Sequence, residues 1–194
     1  MEWVLLGIVI LLVIWGVWTY NRLVTSRNRY QNAFAQIDVQ LNRRYDLIPN
    51  LVKVADRYMA HEKDTLEAVI EARNQAQSSL QKAAADPSNP EAMRELSQSE
   101  QGLSGALGRL FALSEAYPDL KANENMMQLS EELSSTENRI AYARQAFNDA
   151  VMSYNILREM FPNSLIANNL GFRRAELLEI EDPQKREAIE VNFQ

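Results

Sequence analysis

The chain has 194 residues, a formal net charge of -6 and no cysteine. That acidic balance, with a sequence pI near 5.0, argues against a nucleic-acid binder relying on counterion release, and the missing thiols exclude disulfides, thiolate nucleophiles and sulfur-ligated zinc. With 24% charged and 46% hydrophobic residues, the composition is that of a folded protein rather than a disordered one.

The first element is Trp3 to Tyr20, W-V-L-L-G-I-V-I-L-L-V-I-W-G-V-W-T-Y, which carries no charged side chain. At 1.5 Å per residue it spans roughly 27 Å, close to a hydrocarbon core of about 30 Å, and reads as a transmembrane helix. A cleaved signal would want a basic leader and a small-residue cleavage site, neither of which is present around Met1-Glu2 or Trp18. Trp3 at one end and Trp15, Trp18 and Tyr20 at the other suit the two interfaces, where amphipathic rings sit among headgroups. Arg22, Arg27 and Arg29 follow, and basic residues beside a span stay cytoplasmic. The expected topology is single-pass, amino terminus outside, in a cell membrane, with residues 1–20 as anchor, 21–175 as cytoplasmic helical body and 176–194 as an acidic tail, extended or loosely docked.

From Asn21 to Ala83 there is no Gly and one Pro. Phe34, Ile37, Leu41, Ile48, Leu51, Ala55 and Tyr58 make a stripe at three-and-four spacing, which specifies helix and no strand. Two readings are open at Pro49: Asp46 caps a new helix with Pro in its first turn, or one helix continues through with a kink. Asp86-Pro87-Ser88-Asn89-Pro90 is a loop, and Pro90 suits the first turn of the next helix. Its stripe is Met93, Leu96, Leu103, Leu107, Leu110 and Leu113. Gly102, Gly105 and Gly108 within it each cost about 1 kcal/mol relative to Ala, so close helix packing is expected there, with a hinge as the alternative. Tyr117-Pro118-Asp119 closes that helix, and the last long one follows Asn123. Met126, Leu133, Ile140, Phe147, Tyr154 and Phe161 recur every seven, with Leu129, Thr136, Ala143, Ala150 and Leu157 offset between them. Pro162 ends it, and Gly171 stops a short segment from Ser164 to Asn169.

The blocks Tyr20-Asn-Arg-Leu-Val, Q-I-D-V-Q-L-N-R-R-Y-D-L-I-P-N-L-V from Gln36 to Val52, His61-Glu62, E-A-Y-P-D-L-K-A-N from Glu115 to Asn123, T-E-N-R-I from Thr136, Tyr154-Asn155 and Phe161-Pro162 make the chain resemble the LemA family of bacterial membrane-anchored proteins over nearly its whole length. The resemblance implies an all-α protein: a transmembrane anchor followed by an antiparallel, up-and-down four-helix bundle with long helices. It implies no catalytic residue.

Chemical motifs are sparse. His61, the single histidine, begins H-E but lacks the second histidine of a zinc protease and reads as a surface residue. There is no phosphate loop and no nucleophile elbow, so no enzyme activity, metal or cofactor is expected. The informative polar residues lie on the helices. Glu137, Arg144, Asn148 and Asn155, spaced seven, four and seven, fall within about 20° of one line on the last helix. Arg44 occupies a seam position between Ile37 and Leu51. Either its head snorkels to water, or it is buried against an acid such as Glu137 or Asp38 and fixes register.

The function expected from these features is a membrane-anchored interaction or scaffold protein that self-assembles at the membrane, its expected partners being the lipid bilayer, copies of itself through the juxtamembrane helix, and other membrane proteins. The span lacks a Gly-x-x-x-Gly face, so confinement in one plane rather than span pairing drives that assembly. The alternative is a ligand- or peptide-responsive membrane-tethered sensor, which a large apolar pocket near Gly102 to Gly108 would favour.

Overall fold

A computed structural model describes residues 1–179. Among them every regular element is a helix: α1 (Glu2–Asp56), α2 (Lys63–Ala85), α3 (Pro90–Ser114), α4 (Pro118–Lys121), α5 (Glu124–Glu159) and α6 (Asn163–Asn169). The long helices α1, α2, α3 and α5 enclose one apolar core, in which α1 lies along α5 and α2, and α2 along α3. Tail residues after Gly171 run without regular structure as far as Glu179; the remainder of the acidic tail lies outside the described residues.

The question at Pro49 resolves as one helix, because α1 continues unbroken from Glu2 to Asp56 with Pro49 inside it. Asp46 is accordingly an exposed mid-helix residue and caps nothing. The chain turns later, over residues 57–62, where neither Gly nor Pro marks the break and Met59 plugs the core. Tyr58, assigned to the apolar stripe by spacing, falls in this turn and is 38% exposed; the rest of the stripe is buried.

A proline within a helix has no N–H for the carbonyl four residues earlier. Here that carbonyl belongs to Tyr45, a fully buried residue. Arg73 of α2 supplies the missing donor, its Nε donating to Tyr45 O at 3.1 Å while Nη1 donates to Gln77 Oε1 at 2.7 Å. A buried carbonyl left bare would cost about 1–3 kcal/mol, so α2 makes the proline tolerable and is pinned to α1 in return.

The other boundaries follow local chemistry. Asn89 caps α3, its side chain accepting from Glu91 N and Ala92 N, with Pro90 at the first helical position as expected. Asn123 caps α5 through Met126 N at 3.1 Å. Gly171 ends α6 with φ 72, the left-handed conformation that glycine adopts without penalty, and Phe172 N donates back to Ala167 O at 3.0 Å.

Side-chain contacts fix how α5 lies on α1. Tyr58 meets Asn123 at 3.1 Å, Arg44 meets Glu137 at 3.2 Å, and the rings of Phe34 and Tyr30 meet Phe147 and Tyr154 at centroid distances of 5.5 and 5.1 Å. Numbers fall along α1 as they rise along α5. The heptad set of α5 is buried from Met126 to Tyr154, but Phe161 is not part of it. The helix stops at Glu159, two residues before Phe161, so the phase never brings that ring inward and Phe161 is 80% exposed.

The three glycines of α3 correct the packing expectation. Gly102, Gly105 and Gly108 are exposed, and a Cβ added at any of them would meet nothing within 4 Å. They do not mediate close helix packing.

Candidate functional site

The aromatic residues of the amino-terminal segment stand in positions compatible with an interface. Trp3, Trp18 and Tyr20 are exposed, Trp15 is half-buried, and the Arg22 guanidinium lies 4.7 Å above the Trp18 ring. Among the described residues one helix, α1, is long and apolar enough in this part to cross a membrane.

Arg44 is buried, only 5% exposed, so it does not snorkel. Its Nη1 lies 2.8 Å from Glu100 Oε2 and 3.2 Å from Glu137 Oε2, and Nη2 donates to Ser104 Oγ at 3.0 Å. The Tyr45 hydroxyl donates to the other oxygen of Glu100. Five residues from α1, α3 and α5 thus form one network. Glu137 is a partner as expected, whereas Asp38 is not: it accepts from Asn42 on its own helix at 3.0 Å. The principal partner, Glu100, was missed by the sequence reading although the signal was present, since Glu100 stands between Leu96 and Leu103 on the α3 stripe just as Arg44 stands on that of α1.

Glu100 has no solvent exposure. Burial pushes its carboxyl above the usual carboxylate range, opposed by the Arg44 guanidinium and the Tyr45 hydroxyl. Burial, reinforced by the Glu100 charge, likewise raises the Tyr45 phenol. Both carboxylate oxygens are occupied, so this arrangement is a clamp rather than a reactive group. It ties α1 to α3 in one register, because sliding either helix by a turn would strand a buried charge.

The polar ridge of α5 divides between two tasks. Glu137 joins the Arg44 network, and its side chain is 53% exposed. Asn148 and Asn155 instead grip the tail. The Asn155 amide donates to Ala175 O at 2.9 Å and accepts from Ala175 N at 3.0 Å; Asn148 repeats this with Leu178, at 3.3 and 2.9 Å. Each asparagine therefore satisfies both backbone groups of one tail residue, as a neighbouring β-strand would. Between and below them the Tyr154 hydroxyl donates to Arg173 O at 2.8 Å and Arg158 Nε to Phe172 O at 2.7 Å. Phe172, Ala175 and Leu178 are buried underneath. Arg144, half-buried on the same face, enters neither set of hydrogen bonds among the described residues.

Among the described residues no group of three or more His, Asp or Glu side chains is placed to hold a metal. His61 is exposed in the turn before α2. The surface beside the α3 glycines is a groove of about 340 Å³ lined by Thr65, Ala68, Gly102, Gly105 and Ala106, all small, and by Arg109.

These features define a class: an all-helical protein whose apolar amino-terminal segment and whose core seam are one helix, held in register by a buried charge network. The chain belongs to the LemA family, whose model matches residues 33–193. It is similar to the magnetosome protein MamQ of Magnetospirillum gryphiswaldense, 28% identical over 175 residues that cover 81% of this chain and 63% of that protein. Magnetosome protein MamQ 2 of Paramagnetospirillum magneticum is similar to the same extent, at 28% identity, 81% of this chain and 63% of that protein. Protein LemA of Metamycoplasma hominis is 26% identical over 165 residues, 85% of this chain and 71% of that protein. The chain thus spans less than two thirds of the length of the MamQ relatives.

Proposed function

We propose that the chain is a single-pass, membrane-anchored scaffold: an antiparallel up-and-down four-helix bundle held on the cytoplasmic face of the inner membrane, where it assembles with copies of itself and with other membrane proteins. The observation that carries this reading is the continuity of α1, which joins the apolar segment to the core without a linker. A bundle attached in that way takes its orientation to the bilayer from the anchor helix and turns only as that helix tilts. Copies confined to one plane in one orientation meet through the same lateral faces repeatedly, so contacts too weak for solution accumulate. The exposed side of α1 between Asn21 and Tyr45 is the contact surface assigned to this role. No catalytic step is assigned.

The sensor alternative asked for a large apolar pocket beside the α3 glycines. The groove there is small, about 340 Å³, and is lined by small side chains and Arg109 rather than by large apolar ones, which gives it little support.

The test is the mass of full-length protein in mild detergents and in lipid nanodiscs, beside that of a chain beginning at Asn21. Assembly of the full-length protein, lost or weakened without the anchor, is expected. A monomer under all conditions, or equal assembly without Met1 to Tyr20, refutes the proposal. A carboxy-terminal reporter accessible from outside intact cells refutes the orientation.

A further inference from the structure

The end of the body nearest the apolar segment is built unlike the rest of the surface. From Met160 to Phe172 the sequence is M-F-P-N-S-L-I-A-N-N-L-G-F, thirteen residues without a charge, followed at once by Arg173 and Arg174. Met160, Phe161, Leu165 and Leu170 are all more than half exposed. Scattered apolar residues on a surface need no explanation, but four within eleven positions on one elbow form a patch.

The position of this elbow is fixed by α1. A Cβ placed on Gly16 would lie 3.9 Å from Ile166 Cδ1, the Tyr20 and Phe172 rings meet edge-on at 5.7 Å, and Thr19 is buried. Helix α6 therefore lies beside the last turn of the apolar segment, not below it. Gly16 is about 6 Å up the helix from Tyr20. If lipid ended before Gly16, the run from Trp3 to Trp15 would leave only about 20 Å for a hydrocarbon core of about 30 Å. A bilayer that covers the apolar segment must also meet α6.

We infer that the Met160–Leu170 elbow is inserted in the membrane interface beside the anchor, a second lipid contact of the same chain. This rests on the reading of Trp3 to Tyr20 as a transmembrane span. Each asparagine of the elbow turns one end of its amide into the protein, which suits such a site: Asn163 Nδ2 donates to Leu157 O at 3.2 Å, Asn169 Nδ2 to Leu165 O at 2.7 Å, and Asn168 Oδ1 accepts from Arg158 at 3.1 Å. Polar side chains bonded in this way lose little on leaving water. Arg27 stacks on Phe172 at 5.3 Å, Arg173 and Arg174 follow the elbow in sequence with Arg174 paired to Glu159 at 3.6 Å, and Arg22 lies over Trp18 on the adjoining helix, so positive charge stands at the level of anionic headgroups. Apolar side chains in the boundary layer with cations beside them are the pattern of an interfacial helix. The occupant of this patch is thus a bilayer surface rather than a protein partner.

The absence of cysteine allows a direct test in full-length protein reconstituted into vesicles of phosphatidylethanolamine and phosphatidylglycerol, open to reagent on both sides. Single variants Phe161→Cys and Leu165→Cys report on the elbow, Leu11→Cys on the span and Tyr142→Cys on an exposed site of α5 remote from lipid. Reaction with a charged maleimide is expected to be at least about tenfold slower at Phe161→Cys and Leu165→Cys than at Tyr142→Cys, because the reactive thiolate is disfavoured in apolar surroundings. The same protection in nanodiscs holding one copy assigns it to lipid; its loss there shows that a second copy covers the elbow and overturns the inference. Rapid reaction at Phe161→Cys and Leu165→Cys with Leu11→Cys protected overturns it while leaving the span intact. Rapid reaction at Leu11→Cys removes the span and the inference together.

Discussion

Removing the Arg73 side chain should cost stability only while Pro49 is present. The Tyr45 carbonyl sits in a buried stretch of α1, and proline at position 49 deprives it of its helical donor, so the 3.1 Å bond from Arg73 Nε is its replacement. In Arg73→Ala that carbonyl is bare, a loss of about 1–3 kcal/mol, to which the half-buried bond to Gln77 adds a few tenths. In Pro49→Ala the N–H of residue 49 returns to Tyr45 O and the ring no longer presses on the preceding turn. That variant should be more stable than the parent, by up to about 3 kcal/mol. Adding Arg73→Ala to it should then cost about 0.5 kcal/mol, giving a coupling of about 1–3 kcal/mol. The assay is unfolding of the four proteins in a mild detergent, followed by far-ultraviolet circular dichroism; for a chain of this size each kcal/mol moves the midpoint by about 2–4 °C. Equal costs of Arg73→Ala in both backgrounds would refute the reasoning.

Arg44→Ala should destabilise by about 3–5 kcal/mol, because it leaves the Glu100 carboxyl buried beside an empty site; a loss below about 1 kcal/mol in denaturant unfolding would end its role in register. Since burial raises the folded-state pKa of Glu100, that group favours folding below the ordinary unfolded carboxyl value of about 4.3 and loses this contribution as pH rises through its folded value. The stability of the parent relative to Glu100→Gln should therefore fall as pH increases over that window, and a difference independent of pH would contradict the assignment. Gly102→Ala, Gly105→Ala and Gly108→Ala should each stabilise by about 0.5–1 kcal/mol, since the added methyl meets nothing within 4 Å; destabilisation in thermal unfolding would show that the exposed face is in use. Asn148→Ala and Asn155→Ala each remove two hydrogen bonds from the tail, about 2 kcal/mol, so tryptic cleavage at Arg173 and Arg174 should quicken by about 30-fold per substitution if local opening limits it. An unchanged rate would mean the tail is held by its buried apolar residues alone.

Periodicity made the helices legible because each long one has a single buried face: Leu41, Ile48 and Leu51 on α1, Leu96, Leu103 and Leu110 on α3, and Leu133, Ile140 and Phe147 on α5 all lie where a three-and-four count puts them. Arg44 stood out as a charge on such a face, and Glu100 could have been found by the same rule. What spacing does not encode is the support that comes from a distant element. Nothing local to Pro49 reveals that Arg73 will reach its orphaned carbonyl, so continuation and interruption looked equally open. The ridge of Glu137, Asn148 and Asn155 was visible as a line, but its division into an ion-pair partner and a pair of tail clamps depends on an irregular segment whose path no period describes. The α3 glycines misled for a different reason: a glycine in a helix marks either close approach or bare exposure, and composition does not distinguish them.

If α1 crosses a bilayer as proposed, its unbroken length makes the molecule a lever with its fulcrum at the membrane. From Tyr20 to Asp56 it extends about 54 Å, so a change in tilt of about 10° displaces its far end by about 9 Å. Helices adjust their tilt to bilayer thickness at a cost of fractions of a kcal/mol per ångström of mismatch. Local thickening or thinning of the lipid would therefore swing the far tip of each copy, and neighbours in the proposed assembly would separate or converge at the end most remote from the bilayer that moved them.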